Sequence, residues 1–363
     1  MLSIDTLRGF DMLFIMGFSK LIAMICGLFP GGSDCWLATQ MNHVKWDGLQ
    51  FYDTVFPLFL FIAGMTFPFS YSKQKEQGHS QGKILWKVIR RCLILVFLGL
   101  AYSGLFNLNF AHLRIPSVLG RIGIAWMFAA ILFMYVGRTG RIIIAGAILI
   151  GYWLLLALVP APDALGAGPF TEEGNLVGYI DRILMPNHIL LPNRFDPEGT
   201  LSTLPAIVTA MLGMFTGEFV KDSESGISGN GKTIRMLIAA ACLLVVGLVW
   251  SQWFPVNKKL WTSSYVLVVG AYSVAMFALF YWVIDVKKWR GWTKFFQVIG
   301  MNSITIYMAM RIIDFSKITD FFLKGTAALM PDPWAKALLM AGKILICWLF
   351  LLFLYRKKVF IKV

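Results

Sequence analysis

The chain has 363 residues, 58% of them hydrophobic and 14% charged, against roughly 45–50% apolar and about 25% charged in a soluble globular protein. This excludes a soluble enzyme on a single anchor, because about ten spanning helices of about 20 residues each leave too little chain for a large water-soluble domain. The formal charge of +14 is no sign of nucleic-acid binding, since Lys and Arg gather in the cytoplasmic loops of a polytopic membrane protein.

Apolar stretches run over Leu7–Phe29, Thr54–Tyr71, Cys92–Phe106, Ile115–Val136, Ile142–Val159, Leu201–Phe219, Met236–Phe254, Ser263–Ile284, Phe295–Ile313 and Trp334–Tyr355. They predict an all-α bundle of about ten transmembrane helices forming a single domain over 1–363. Several stretches are interrupted by Pro, Gly or one charge, as in helices buried among other helices. The first is long and has no small-residue cleavage site after it, which reads as a retained helix and not a signal peptide. The polar, basic segment Lys73–Lys87 reads as a solvated loop leading amphipathically into the third helix.

With a cytoplasmic amino terminus, 20 of the 33 Lys and Arg residues fall on the inner side, grouped around Arg8, Lys73–Arg91, Arg138–Arg141, Lys221–Arg235, Lys287–Lys294 and Arg356–Lys362. Both termini are therefore expected to be cytoplasmic, and the loop at about 160–200 external. Cys92, Cys242 and Cys347 fall inside spans as ordinary small apolar residues. Cys26 and Cys35 are the pair placed to meet outside, and no Cys/His spacing suggests a metal site.

Polar residues stand out in four places. In SIDTLRGFD, residues Asp5, Arg8 and Asp11 recur every three positions and share one helix face. Asp5 is then a helix cap with Arg8 paired or snorkelling to lipid, or the cluster holds a phosphate-bearing ligand at the inner surface. In NHVKWDGLQFYDTVFP, residues His43, Asp47 and Asp53 crowd the start of the second span. Imidazole changes charge nearest neutral pH, so His43 is a candidate base; His43 and Asp47 as ordinary loop residues is the alternative. In HLRIPSVLGRIGIAW, Arg121 lies inside a span, where a buried guanidinium needs a carboxylate or an anionic ligand. In RFDPEGTLSTLPA and GMNSITIYM, Asp196 and Glu198 sit in a turn, Thr200 or Ser202 is placed to cap the next helix, and Asn302, Ser303 and Thr305 put polar groups in an apolar span, where interhelical hydrogen bonding is their ordinary use. Gly213 and Gly217 form a small-xxx-small pair for close helix packing.

These segments, in this order and over nearly the whole chain, resemble the bacterial relatives of heparan-α-glucosaminide N-acetyltransferase. The resemblance implies a polytopic acetyltransferase that uses cytosolic acetyl-CoA to acetylate a sugar amine on the far side of the membrane. It implies a cell inner membrane location and a homodimer. The H-x-x-W-x-G segment, here His43, Trp46 and Gly48, implies that His43 is catalytic, with Asp53 of the D-x-x-F-P pattern as its local carboxylate. Arg8 is the family-matched candidate for the donor's phosphates.

The chemistry agrees with that reading. Acetyl transfer from a thioester to an amine needs a proton acceptor, or a nucleophile that carries the acetyl group, and histidine serves either way. The nucleotide of CoA stays at the cytoplasmic face, where Arg8 and Arg121 are the expected cofactor-binding cations, while the pantetheine arm passes polar groups such as Asn302 and Ser303. Trp46, Asp47, Asp196 and Glu198 are the expected contacts of the amino-sugar or oligosaccharide acceptor. The rival reading is a secondary transporter of a small anionic or sugar substrate, which the charged, Gly- and Pro-interrupted spans would also fit, although no two-half repeat is evident.

Overall fold

The computed structural model describes residues 1–164, 166–191, 194–223 and 226–360. Lys362 and a few positions of the 160–200 loop lie outside the described residues. In a bilayer every backbone N–H and C=O must be satisfied internally, so the apolar stretches fold as helices, and among the described residues there is no strand. In chain order the helices are α1 (Leu2–Leu13), α2 (Ser19–Cys26), α3 (Trp36–Gln40), α4 (Val55–Glu76) and α5 (Gln81–Tyr102). They continue as α6 (Val118–Tyr135), α7 (Arg138–Leu158), α8 (Leu176–Leu184), α9 (Thr203–Lys221) and α10 (Gly229–Trp250). The last five are α11 (Ser263–Tyr281), α12 (Thr293–Gly300), α13 (Ser303–Ile312), α14 (Phe315–Ala327) and α15 (Asp332–Arg356).

Eight spans among the described residues are long and apolar enough to cross a membrane, where the apolar stretches suggest about ten. The third stretch lies in α5, a helix of 22 residues whose first half carries Lys83, Lys87, Arg90 and Arg91. The ninth is divided between α12 and α13 by a break at Met301–Asn302. The basic segment Lys73–Lys87 is mostly helical and not a loop: α4 runs on to Glu76, and α5 starts at Gln81 behind Ser80, whose hydroxyl accepts from the Lys83 amide at 3.3 Å. All five cysteines are free thiols, Cys26 and Cys35 included.

The chain forms two compact units. The first holds Met1–Lys45, Leu49–Val55 and the described residues from Met276 on. Here α1 crosses α12 with almost no separation, because both helices present glycine at the crossing. A Cβ on Gly9 would lie 1.8 Å from the Phe296 carbonyl oxygen, and one on Gly300 2.0 Å from that of Asp5. Met12, Val298, Ile299, Phe315, Cys347 and Leu351 close the apolar core around this crossing. A π-helical turn over Phe14–Phe18 joins α1 to α2, with Gly17 at φ 122°, a backbone angle that a side chain would strain.

The second unit holds Trp46–Gly48 and Phe56–Ala275. Its α4 and α9 touch backbone to backbone through Gly64, Gly213 and Gly217. A Cβ on these would meet the carbonyl oxygens of Ala210, Phe61 and Met65 at 2.1, 2.0 and 2.3 Å, which is the close packing expected of the small-xxx-small pair. A smaller cluster of Tyr152, Leu156, Val177, Phe254 and Leu260 secures α8 and the turn before α11.

Candidate functional site

His43 and Asp53 meet in the first unit. Asp53 lies in a 3₁₀ turn, Phe51–Thr54, leading into α4, and its side chain is 1% exposed. One carboxylate oxygen is 2.7 Å from His43 Nδ1, and the other accepts from the amides of Val44 and Gln50, each at 3.2 Å. An oxygen pair surrounded by N–H donors acts as acceptor, so Nδ1 carries the hydrogen and Nε2 is the basic nitrogen. The ring is further held against Tyr52, with centroids 4.7 Å apart, while the His43 side chain stays 55% exposed. An oriented, half-exposed imidazole results. Asp47 takes no part in it.

In the second unit, Trp46, Asp47 and Gly48 are fastened to the turn before α11. The Gly48 amide donates to Val256 O at 2.8 Å, and Asp47 Oδ1 accepts from Asn257 Nδ2 at 3.1 Å. Gly48 sits at φ 112°, so the glycine of the H-x-x-W-x-G segment is needed for the turn. Trp46 Nε1 donates to Phe170 O at 2.8 Å, and Lys259 Nζ lies 5.3 Å from the Trp46 ring centroid. Trp46 and Asp47 line a cleft of about 540 Å³ together with Phe170, Glu172, Glu173 and Pro255. The cleft thus joins an aromatic ring to three carboxylates, of which Glu172 is paired with Arg194 at 2.8 Å and Asp47 is bonded to Asn257.

Asp196 and Glu198 are not part of that cleft. Arg114 binds Asp196 through two hydrogen bonds of 2.8 and 2.6 Å and reaches Glu198 as well. Burial opposes the charge on Arg114, but the two carboxylates outweigh it and raise its pKa. Asp181 of α8 ties down the same turn, accepting from the Thr200 and Asp196 amides at 3.0 and 3.3 Å. Burial lifts the Asp181 pKa to about 6 against the pull of those two amides.

Arg121 has no carboxylate partner among the described residues. Its guanidinium donates to Ser202 Oγ and to Gly199 O and lies 4.9 Å from the centroid of the Trp261 ring. Asp196 and Glu198 are bound by Arg114, seven positions earlier in the chain. Ser202 therefore serves Arg121 and does not cap α9.

Of the remaining expected cofactor residues, Arg8 lies 3.4 Å from Asp5 within α1, and Asp5 caps nothing. Asn302 donates to Val359 O at 3.2 Å and accepts from Thr305, while Ser303 donates to Gly300 O at 2.9 Å. These bonds stitch the break between α12 and α13. Because Gly300 packs on Asp5, that break lies beside the Arg8 turn. Ser3 bonds Asp285 at 2.5 Å, so the amino-terminal turn of α1, the turn before Lys287 and Lys288, and the basic end of α15 gather at one end of this unit.

Glu172, Glu173 and Phe170 escape sequence reasoning. The signal available was a Phe-Thr-Glu-Glu run in the 160–200 loop, with no motif around it. No group of three or more His, Cys, Asp or Glu able to hold a metal ion occurs among the described residues.

Fold and composition define a multi-pass helical membrane protein with an oriented histidine–carboxylate pair beside its second span. No protein-family model matches the chain. It is similar over nearly its whole length to two curated enzymes, as a distant relative. Heparan-alpha-glucosaminide N-acetyltransferase of Homo sapiens is 29% identical over 420 residues, covering 99% of this chain and 59% of that protein. The Mus musculus enzyme of the same name is 27% identical over 365 residues, covering 86% and 53%. The chain thus spans a little over half the length of the curated relatives it matches.

Proposed function

We propose that the chain is a membrane acetyltransferase, working as one catalytic domain, that moves the acetyl group of cytosolic acetyl-CoA to a glucosamine-type amino sugar on the extracytoplasmic side of a cell inner membrane, as a homodimer. The observation that carries this reading is the 2.7 Å bond between His43 Nδ1 and Asp53, which leaves Nε2 basic in the segment that resembles the family's catalytic one. The acceptor amine attacks the thioester carbonyl, Nε2 takes the amine proton, and the C–S bond breaks as the thiolate leaves and is protonated. In the variant with an acetyl-histidine, Nε2 attacks first and the amine displaces it.

Asp53 holds the ring and stabilises the imidazolium that forms. The Trp46–Asp47 cleft receives the amino sugar, with the carboxylates of Glu172 and Glu173 drawing in its cationic form. Asp196 and Glu198 act one step removed, fixing through Arg114 the loop that follows the cleft. Arg8, with the basic end it belongs to, holds the donor's phosphates, and Asn302 and Ser303 shape the helix break beside it. Arg121 secures the start of α9.

The test is incubation of purified protein with radiolabelled acetyl-CoA and a panel of amino sugars. Labelled N-acetyl product is expected. Sugar uptake into proteoliposomes with no acetylation would favour the transporter and overturn the proposal.

A further inference from the structure

The second unit carries a groove of about 450 Å³ between α9 and α10 that plays no part in the proposed chemistry. Its walls are apolar: Leu212, Phe215 and Phe219 from α9 face Met236 and Leu243 from α10. From Arg235 to Leu243 the groove follows α10 for about 12 Å at 1.5 Å per residue. Two guanidinia, Arg138 and Arg235, stand among its lining residues.

The other cations nearby are engaged. Arg141 pairs with Glu218 at 2.7 Å, Lys232 donates to the Val220 and Asp222 carbonyls at the end of α9, and Lys221 bonds Ser72. Arg138 and Arg235, both exposed, have no hydrogen bond or ion pair among the described residues. Two unneutralised guanidinia beside an apolar trough on a membrane-spanning unit match one kind of occupant, a molecule with a hydrocarbon tail and an anionic head.

We propose that this groove binds one anionic phospholipid, its phosphate held by Arg138 and Arg235 and an acyl chain lying between α9 and α10. Guanidinium favours phosphate through paired N–H donors, which a zwitterionic head group satisfies less well because its own ammonium competes. α10 has little else to pack against: most of its apolar side chains, including Ile238 at 58% and Val245 at 60% exposure, face outward. A bound lipid would be part of its packing.

The experiment is native mass spectrometry of the full chain released from mixed micelles containing phosphatidylglycerol and phosphatidylcholine of identical chains. One phosphatidylglycerol should be retained in preference. Each of Arg138→Gln and Arg235→Gln should cut the preference about 5-fold and the double variant about 30-fold, the equivalent of about 1 kcal/mol per arginine. Ala239→Trp, at an exposed groove position, should fill the trough and abolish retention with both arginines present. Equal retention of the two lipids by the wild type, or an unchanged preference in the double variant, overturns the proposal. Displacement of the lipid by acetyl-CoA would overturn it too, by giving the groove to the donor. Because the readout is lipid retention, it stands or falls independently of acetyltransferase activity.

Discussion

Asp53 and Asp196 are both sealed from solvent, at 1% and 0% exposure, but they face different cations. Asp53 holds a histidine whose side chain is 55% exposed, while Asp196 holds an arginine that is 24% exposed. A buried carboxylate under a half-exposed imidazole orients that ring. A buried carboxylate under a guanidinium, which never deprotonates, forms a permanent tie. The two pairs are built alike, each with extra backbone N–H donors on the acid, and the partner decides whether the result is an oriented imidazole, proposed above to be reactive, or a clasp.

The largest effect that separates them is on rate. His43→Ala should lower acetyl transfer by at least about 10², and by up to about 10⁴, the range for loss of a general base, while the unfolding temperature in detergent falls less than in Arg114→Met, because Asp53 loses one hydrogen-bond donor and not a permanent cation. The lost side chain is half exposed, and Asp53 keeps its bonds to Val44 and Gln50. Unchanged turnover would place His43 with the structural residues and erase the contrast.

Arg114→Met is the reciprocal test, read as stability. It strips the cation from Asp196, leaving a buried charge with only the backbone amides of Leu190 and Glu198. Removing one partner of a buried pair costs about 3–5 kcal/mol, so the variant should unfold several degrees lower. A variant as stable as the wild type would show that the clasp ties nothing.

The His43–Asp53 contact was more legible in the sequence than the clasp, and distance along the chain is part of the reason. His43 and Asp53 are ten residues apart in one segment, and it was the family resemblance of that segment, not residue type and spacing alone, that pointed to Asp53 as the carboxylate beside His43. Arg114 and Asp196 are 82 residues apart, and nothing in the sequence names a carboxylate partner for either Arg114 or the buried Arg121. Arg114 takes Asp196 and Glu198 because it stands before α6, beside the 196–198 turn, whereas Arg121 lies about one turn inside α6 and finds Ser202 and Gly199. The helices themselves were legible because apolar runs in a membrane have few alternatives. The break at Met301–Asn302 was not, because no proline marks it and its polar groups are satisfied by carbonyls that only the folded chain brings near. Glu172 and Glu173 stayed hidden for the same reason, since only closure of the fold carries them to Trp46.

The smallest expected effect concerns Asp181, the α8 acid that ties down the same turn. Its carboxylate is 0% exposed and accepts from the Thr200 and Asp196 amides. It is packed so closely that a Cβ on Gly199 would fall 2.0 Å from Oδ2. Burial lifts its pKa to about 6 from the ordinary 3.8. A folded-state pKa above the unfolded one means that the folded chain binds the proton more tightly. The resulting stability is complete below about pH 4 and is lost as pH rises through 6. Between pH 7.5 and pH 5 the difference amounts to about 1.4 kcal/mol, a tenfold change in local opening. The amides of 195–203 should therefore exchange about tenfold more slowly at pH 5 than at pH 7.5, once intrinsic rates are corrected for, and Asp181→Asn should remove that dependence. The His43–Asp53 segment is not held by Asp181, so its amides should not follow the same curve. If acidification over this interval loosens the 195–203 turn instead, Asp181 is ionised throughout, and Arg114 alone accounts for the clasp.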